Sequence, residues 1–415
     1  MKKEGSIVGV DIGTTKVAVA VGQIKEGMVR ITAVGSAANS GLRKGSVVDI
    51  EETVSAISGA LEDAERASGE EITSCYASIN GSQVVSSDSK GVIAVGRADG
   101  EIQAIDAERV IEAAKSVALP PNYEIIHAIP KYYSIDGHEA VKDPSGMSGI
   151  RLEVQAHVVG IALPALKNLS RALAQSGLEV DGLIFAPLAA AKGYLSKKQK
   201  EIGVILIDIG AANTAIAVFE EGTLIHSKVI PIGSGHITND IAIGLKITIE
   251  AAERIKLKEI DAMVDEVKES EKIELKKYEP SEKEMPNRRY VCEIAEARLN
   301  ELFSMIRDEL KQIQRDEMLP AGVVLVGGGA RLKNLQQFVK GALGLPAQTG
   351  KSVYEVSGII DSLDDPEYAT AIGLMLWGID EREANVSNKG RLPVNFGKIG
   401  GAFDKVKDIF KNFIP

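Results

Sequence analysis

The sequence predicts an α/β protein made of two related halves around a ligand cleft. Two matching runs are the main ground for this. The first is Ile7-Val8-Gly9-Val10-Asp11-Ile12-Gly13-Thr14-Thr15-Lys16-Val17-Ala18-Val19. The second is Val204-Ile205-Leu206-Ile207-Asp208-Ile209-Gly210-Ala211-Ala212-Asn213-Thr214-Ala215-Ile216-Ala217-Val218. Each is an apolar run, then Asp-Ile-Gly, then small or hydroxyl residues, then a second apolar run. Apolar runs of this length bounded by Gly read as buried strands joined by a tight turn. A third observation is Gly327-Gly328-Gly329, a glycine run that follows a buried strand and precedes a helical pattern. Glycine admits positive φ and close approach to a ligand, and successive turn N–H groups form an anion nest. An Asp at the mouth of such a turn can hold Mg²⁺, usually through water. Two hairpins facing each other would grip a polyphosphate and its metal from both sides.

Composition sets the limits. The chain has 415 residues, which predicts two to four domains, and a hydrophobic content of 45% is that of a globular protein. Its net charge is −10, its pI about 5.3, and only 4% of residues are aromatic. An acidic chain poor in stacking side chains is a poor nucleic-acid binder. Cys75 and Cys292 have no Cys/His ligand spacing around them and read as buried thiols in a reducing compartment. Asp11 interrupts the N-terminal apolar run, so no signal-peptide pattern is expected. No segment has the roughly 18 uninterrupted apolar residues of a membrane span. The longest candidate, 202–219, contains Asp208 and Asn213 and reads as strand–turn–strand.

Along the chain, a strand is expected at about 28–34, then a loop with Gly41 and Gly45. Asp49 and Glu52 stand at capping-box spacing before a helix at 53–67. A strand follows at 75–79. Residues 84–162 read as a small α+β insert, with strands near 91–96, 124–134 and 150–161 and a helix near 106–117. A helix at 163–176 stops at Gly177. A strand at 180–185 leads to Pro187-Leu188-Ala189-Ala190-Ala191, where Pro starts a helix and small residues allow close packing. After the second hairpin, a strand at 223–230 ends in Pro231-Ile232-Gly233-Ser234-Gly235. Helices are expected from about 236, at 248–257 and at 293–314. The Lys/Glu-dense stretch 256–290 reads as solvated helix faces and loops. A strand at 323–326 runs into the glycines, with a helix at 331–343, and Pro366 opens the last core helix, through Trp377. Residues 381–400 are polar and Gly-rich, as a linker would be, and 402–414 is periodic again.

Candidate ligand-binding residues follow from these motifs. In the first hairpin Asp11, Gly13, Thr14 and Thr15 form a phosphate loop, and Lys16 reaches a phosphate as a point charge. In the second, Asp208, Gly210, Asn213 and Thr214 take the matching places. Asp11 and Asp208 are the candidate metal residues, acting through water. Gly233 and Gly235 stand before a helix. Gly327, Gly328 and Gly329 admit a ligand against a helix N-terminus, and the planar Arg331 stacks on a base. Glu253 and Lys256, at i,i+3, reach ribose and base, although alone they read better as a surface ion pair.

The order Asp11-Ile-Gly-Thr-Thr, Pro187-Leu-Ala-Ala-Ala, Asp208-Ile-Gly, Gly233-Ser-Gly, Glu253 with Lys256, and Gly327-Gly-Gly resembles the actin-like ATPase superfamily. More narrowly, the chain resembles the FtsA family of bacterial cell-division proteins. That match rests on Ile129-Pro130-Lys131-Tyr132-Tyr133-Ser134-Ile135-Asp136, on Pro144-Ser-Gly-Met-Ser-Gly-Ile-Arg151, on Ile237-Thr238-Asn239-Asp240-Ile241 and on the C-terminal tail. The resemblance implies duplicated actin-like (ribonuclease H-like) domains around an ATP and Mg²⁺ cleft, with a small insert replacing an actin subdomain. It divides the chain into 1–83 with 163–195 and 360–380 (subdomain 1A), 84–162 (the insert, 1C), 196–245 with 315–359 (2A), and 246–314 (2B). A linker at 381–400 and an amphipathic helix at 401–415 complete the division. It also implies actin-like filaments of the chain with itself, binding of the FtsZ C-terminal peptide, contacts with other division proteins, and a place at the cytoplasmic face of the membrane. A pilus-assembly platform protein of the PilM type, or an actin-superfamily small-molecule kinase, is the alternative.

Two local features refine this. Relatives commonly read Asp-Ile-Gly-Gly-Gly-Thr-Thr-Asp in the second loop. Here Ala211, Ala212 and Asn213 replace Gly, Gly and Thr, and Ala215 replaces the second Asp. Ala at a positive φ would cost about 1 kcal/mol against Gly. No residue is assigned as a catalytic base, so the expectation is a nucleotide-held switch with weak or no turnover. In the tail, at 100° per residue, Val406, Phe410, Phe413 and Ile414 fall within roughly 80° of Phe403, and Ile409 widens the arc to about 140°. Burial of such side chains yields ~1.5–3 kcal/mol each when complete. Ordering a short helix takes much of that back, so single tails bind an anionic lipid surface weakly and a filament binds by avidity.

Overall fold

The computed structural model describes residues 6–25, 28–97, 99–116, 119–354, 356–358 and 364–388. The amphipathic stretch with Phe403, Val406, Ile409, Phe410, Phe413 and Ile414 lies outside the described residues.

The two hairpin sequences fold into two sheets with one topology. In the first, Ile7–Ile12, Lys16–Lys25 and Met28–Ala38 form an antiparallel meander. Ser74–Ile79 pairs parallel with Ile7–Ile12, and Glu179–Phe185 pairs parallel beyond it. In the second, Val204–Ile209, Thr214–Glu220 and Thr223–Ile230 repeat the meander, and Val323–Val326 and Ala347–Thr349 repeat the two parallel strands. The inner strands are buried along nearly their whole length, as sheets covered on both faces require.

The insert has its own sheet, ordered Val84–Ala94, Arg151–Ala162, Tyr123–Ile135, His138–Val141, antiparallel throughout. The helix Ala104–Lys115 covers it, and a separate apolar cluster around Val110, Leu152 and Val154 fills the space between. His157 joins the insert to the second half. Its Nδ1 lies 2.9 Å from Asp88 Oδ1, and its Nε2 lies 2.8 Å from Ser227 Oγ on Thr223–Ile230.

The helix Ala369–Asn388 packs on Ile7–Ile12 and on the helix Ala186–Tyr194. Small residues make this possible: a Cβ at Gly373 would lie 1.9 Å from the Ala189 carbonyl oxygen. Asp49 caps Ile50–Ser68 by accepting the Glu52 N–H, as its spacing predicted, and Gly69 ends that helix in the left-handed region. Both cysteines are buried thiols.

The structure departs from the sequence expectations in four places. The last helix continues to Asn388, through the first part of the expected linker at 381–400. Trp377 Nε1 donates to Glu381 one turn on, which supports that continuation. Val356–Gly358 pairs parallel with Met28–Ala38, so the boundary expected after residue 359 falls before residue 356. The open edge of the first meander supplies the reason. The glycine run does not open the helix directly. It makes one 3₁₀ turn, Gly328–Arg331, and the α-helix begins at Leu335, after Asn334 at φ +60°. The Lys/Glu-dense stretch is mostly irregular after Glu259, yet Val264, Val267, Ile273 and Leu275 anchor it in the core of the second half.

Gly373→Ala should therefore lower stability by about 1–3 kcal/mol in denaturant unfolding, because the new methyl meets backbone. Gly341→Ala, on an exposed helical face with nothing within 4 Å, should be neutral or raise it by up to about 1 kcal/mol. Equal effects at the two sites would contradict the packing argument.

Candidate nucleotide cleft

Both hairpin turns close the same way. Gly13 N–H donates to the Lys16 carbonyl at 2.9 Å, and Gly210 N–H to the Asn213 carbonyl at 3.0 Å. Each places its Asp at the end of the inner strand. Asp11 Oδ1 accepts from Ser78 Oγ at 2.7 Å, and Ser78 Oγ also accepts the Ile12 N–H. Asp208 Oδ2 accepts from Thr370 Oγ1 at 3.4 Å. Burial pushes both carboxyls up. For Asp208 the charge of Asp11 adds to burial, against the Thr370 hydrogen bond, and its pKa rises to about 7. The two aspartates thus approach each other across the halves, and the charge of Asp11 disfavours that of Asp208.

That arrangement fits a divalent cation, which relieves two opposed, buried carboxylates. Among the described residues no group of three or more His, Cys, Asp and Glu is placed to bind a metal. The pair accordingly suits a cation that keeps most of its water.

Thr14 and Thr15 sit at the tip of the first turn, Thr15 exposed. Asn39, which the motif reading did not single out, clamps this turn. Its Nδ2 donates to the Gly13 carbonyl at 2.8 Å and its N–H to the Thr15 carbonyl at 2.9 Å. Lys16 Nζ lies 2.6 Å from Glu367 Oε1 and 4.0 Å from the centre of the Tyr368 ring.

The second turn differs in detail. None of Gly210, Ala211, Ala212 and Asn213 has a positive φ, so the strain expected for the alanines is absent. Asn213 is buried, and its amide faces Gly45 of the first half: a Cβ there would lie 2.9 Å from Nδ2. Thr214 points into the core and donates to the Ile232 carbonyl at 2.8 Å. Ser234 N–H donates to the Gly210 carbonyl and Gly235 N–H to the Ala211 carbonyl, both at 2.8 Å. The helix Ser234–Leu245 therefore braces the turn from behind. Gly233 permits this, since a Cβ would come within 2.5 Å of the Gly210 oxygen.

Gly233, Lys256, Gly328, Gly329 and Arg331 line one cavity of about 240 Å³, near the lower end of small-ligand sites (~300–1,000 Å³). Its walls are apolar, from Ile237, Ile260, Leu299 and Leu302. Lys256 Nζ pairs with Glu253 at 2.7 Å and donates to Thr238 Oγ1 at 3.0 Å. This largely buried lysine with a more exposed glutamate is not the plain surface pair that their spacing also allowed. Gly327, at φ +83°, lies against Asp208, whose Oδ1 a Cβ would meet at 2.4 Å. Arg331 Nε donates to Asp365 Oδ1 at 3.0 Å, and its remaining nitrogens pair with Asp365 and Glu367. Asn39, Ser78, Thr370, Asp365 and Glu367 are the residues that the motif reading missed. Only the acidic Asp-Pro-Glu-Tyr run before the last helix gave any signal.

Two sheets of one topology, with paired Asp-Ile-Gly turns between them, define an actin-like protein. Solved structures agree. A PilM–PilN type IV pilus biogenesis complex matches with TM-score 0.69 at 17% identity, over 91% of this chain and 99% of that one. MreB5 of Spiroplasma citri bound to ADP matches with TM-score 0.53 at 12% identity, over 92% and 98%. At these identities the likeness is one of fold alone.

Sequence similarity is more specific. The family model for cell division protein FtsA matches residues 205–373, and that for the SHS2 domain inserted in FtsA matches residues 81–160. Cell division protein FtsA of Pseudomonas aeruginosa is 36% identical over 92% of this chain and 91% of its own length. That of Bacillus subtilis is 37% identical over 89% and 82%. The chain belongs to the FtsA family of cell-division proteins. Among the described residues no helix is long and apolar enough to cross a membrane.

The raised pKa of Asp208 has a measurable consequence. A carboxyl raised from 3.8 to about 7 on folding holds its proton more tightly in the folded state. The stability this contributes is full below the unfolded value and is lost as pH rises to about 7. Asp208→Asn removes the ionisation. Its stability in equilibrium unfolding should fall less than the parent's from pH 4 to 7, by a few kcal/mol (about 1.4 per pKa unit). Parallel pH profiles would place the ionisation elsewhere.

Proposed function

We propose that the chain binds ATP with Mg²⁺ between its two halves, polymerises in a nucleotide-dependent way, and tethers FtsZ filaments to the cytoplasmic membrane through its C-terminal amphipathic segment. The observation that carries the nucleotide part is the opposed pair of half-buried Asp11 and buried Asp208 at the ends of duplicated hairpins. Bound Mg²⁺ would neutralise phosphate and carboxylate charge together. The first hairpin would present its turn N–H groups and Lys16 to the phosphates. The cavity beside Gly328, Gly329 and Arg331 would take the nucleoside. Lys256, which lines the cavity and pairs with Glu253, would meet ribose and base together with it. A neighbour of the same fold, MreB5, has been solved with ADP and with AMPPNP, which supports the reading.

We read the nucleotide as acting by occupancy. A ligand that contacts both halves favours the arrangement in which both contacts are made, and turnover is not required for that. The division-site partners follow from family membership. FtsZ would be met on the 246–314 face, and lipid by Phe403, Val406, Ile409, Phe410, Phe413 and Ile414. A weak single anchor becomes a firm one when a filament presents many.

Nucleotide-dependent sedimentation with anionic liposomes tests this, with and without an FtsZ C-terminal peptide. The full chain with ATP and Mg²⁺ should co-sediment at least about tenfold more than a chain lacking Phe403–Pro415, and should carry the peptide with it. Asp208→Ala should lose the ATP dependence and keep the residual tail binding. Equal pelleting of monomer and polymer would defeat the avidity argument.

A further inference from the structure

Two cations at the cleft are already paired. Lys16, from the first half, and Arg331, from the second, converge on one short acidic strap, Asp365-Pro366-Glu367-Tyr368. Glu367 pairs with Lys16 through one carboxylate oxygen and with Arg331 through the other. Asp365 takes Arg331 through two further contacts. The strap is held by backbone: Gly327 N–H donates to the Pro366 carbonyl at 2.8 Å, and Glu367 N–H to Asp365 Oδ1 at 3.1 Å. The Tyr368 ring lies under the Lys16 ammonium. Two positive charges are thus met by two negative ones at a site only partly open to water, since both Lys16 and Glu367 side chains are about a quarter exposed or less.

We propose that Glu367 is an internal competitor with the nucleotide's terminal phosphate for Lys16, and so sets how well the cleft discriminates ATP from ADP. This rests on the nucleotide reading above. A point charge shared with a fixed carboxylate has less attraction left for a phosphate. The added charge of a triphosphate gains most from an unshared ammonium and so loses most when Glu367 holds it. Arg331 behaves differently. Its two-point hold on Asp365 keeps it at the cavity wall whether or not Glu367 is charged. Glu367 therefore acts on phosphate selectivity through Lys16, and Asp365 on nucleoside affinity through Arg331.

Equilibrium binding of mant-ATP and mant-ADP to the full chain, with Mg²⁺, tests this. Glu367→Gln should raise the preference for mant-ATP over mant-ADP about three- to tenfold, a part-buried ion pair being worth more than an exposed one. Glu367→Asp, which keeps the charge, should stay near the parent ratio. In a Lys16→Ala background, Glu367→Gln should leave the ratio unchanged, which isolates the coupling of the pair. Asp365→Asn should weaken both nucleotides alike. A Glu367→Gln variant that melts like the parent but shifts both affinities equally overturns the proposal. So does a shift in ratio that survives Lys16→Ala. Failure of the parent to bind either nucleotide overturns the cleft reading, and this proposal with it; binding without the Lys16-dependent shift overturns this proposal alone.

Discussion

The charge of Asp11 beside the buried carboxyl of Asp208 is the constraint on which the cleft between the halves depends. Asp11 and Asp208 come from different sheets, and each is fixed at a strand end by a turn that allows little movement. Burying such a pair is costly unless a proton or a cation relieves it. The neighbouring groups serve that pair. Ser78 and Thr370 supply hydroxyl donors, one from each side of the first half. Gly327 gives up a side chain so that the backbone can lie against Asp208. The Gly327 N–H also holds the Pro366 carbonyl of the strap that leads into Thr370.

The duplication explains how the pair is held without a dedicated scaffold. Each half uses one meander and two parallel strands to aim one Asp, so the same physics is applied twice. The halves meet through the helix Ala369–Asn388, which belongs to the first core yet begins beside the second hairpin through Thr370. The insert adds a lateral contact through His157 and Ser227. The cavity beside Gly328, Gly329 and Arg331, by contrast, lies wholly in the second half, between its helices and the glycine turn. The hairpin carboxylates thus come from both halves, and the residues that line the cavity from one.

Much of this was legible in the chain because it is encoded locally. Strands such as Val323–Val326 and Thr223–Ile230 are short apolar or alternating runs between turn residues, and their limits coincide with the expected ones. The Asp49 cap and the Pro187 helix start are chemistry of neighbouring residues. What was not legible depends on distant contact. Nothing near Asn39 announces that its amide closes a turn 26 residues earlier in the chain. Nothing near Glu367 announces Lys16 at the other end of the chain. The helix end at Asn388 was missed because the polar composition after Trp377 resembles a linker.

The second hairpin shows how a motif departure can mislead. Replacement of glycines by Ala211 and Ala212 looked like strain in a turn needing positive φ. The turn does not use that region, and the carbonyls of Gly210 and Ala211 are tied to the helix behind it. The loss of a carboxylate at residue 215 matters more. In the hairpin register Ala215 lies directly opposite Asp208, as Ala18 lies opposite Asp11. Side chains so paired have Cβ atoms about 4.5–5.5 Å apart on one face of the sheet. An acid at 215 would set a third negative charge beside a carboxyl already raised by burial and by Asp11. With alanine in both places the two hairpins carry equal loads, one carboxylate each. The change that seemed to break the symmetry of the cleft completes it, leaving one carboxylate from each hairpin.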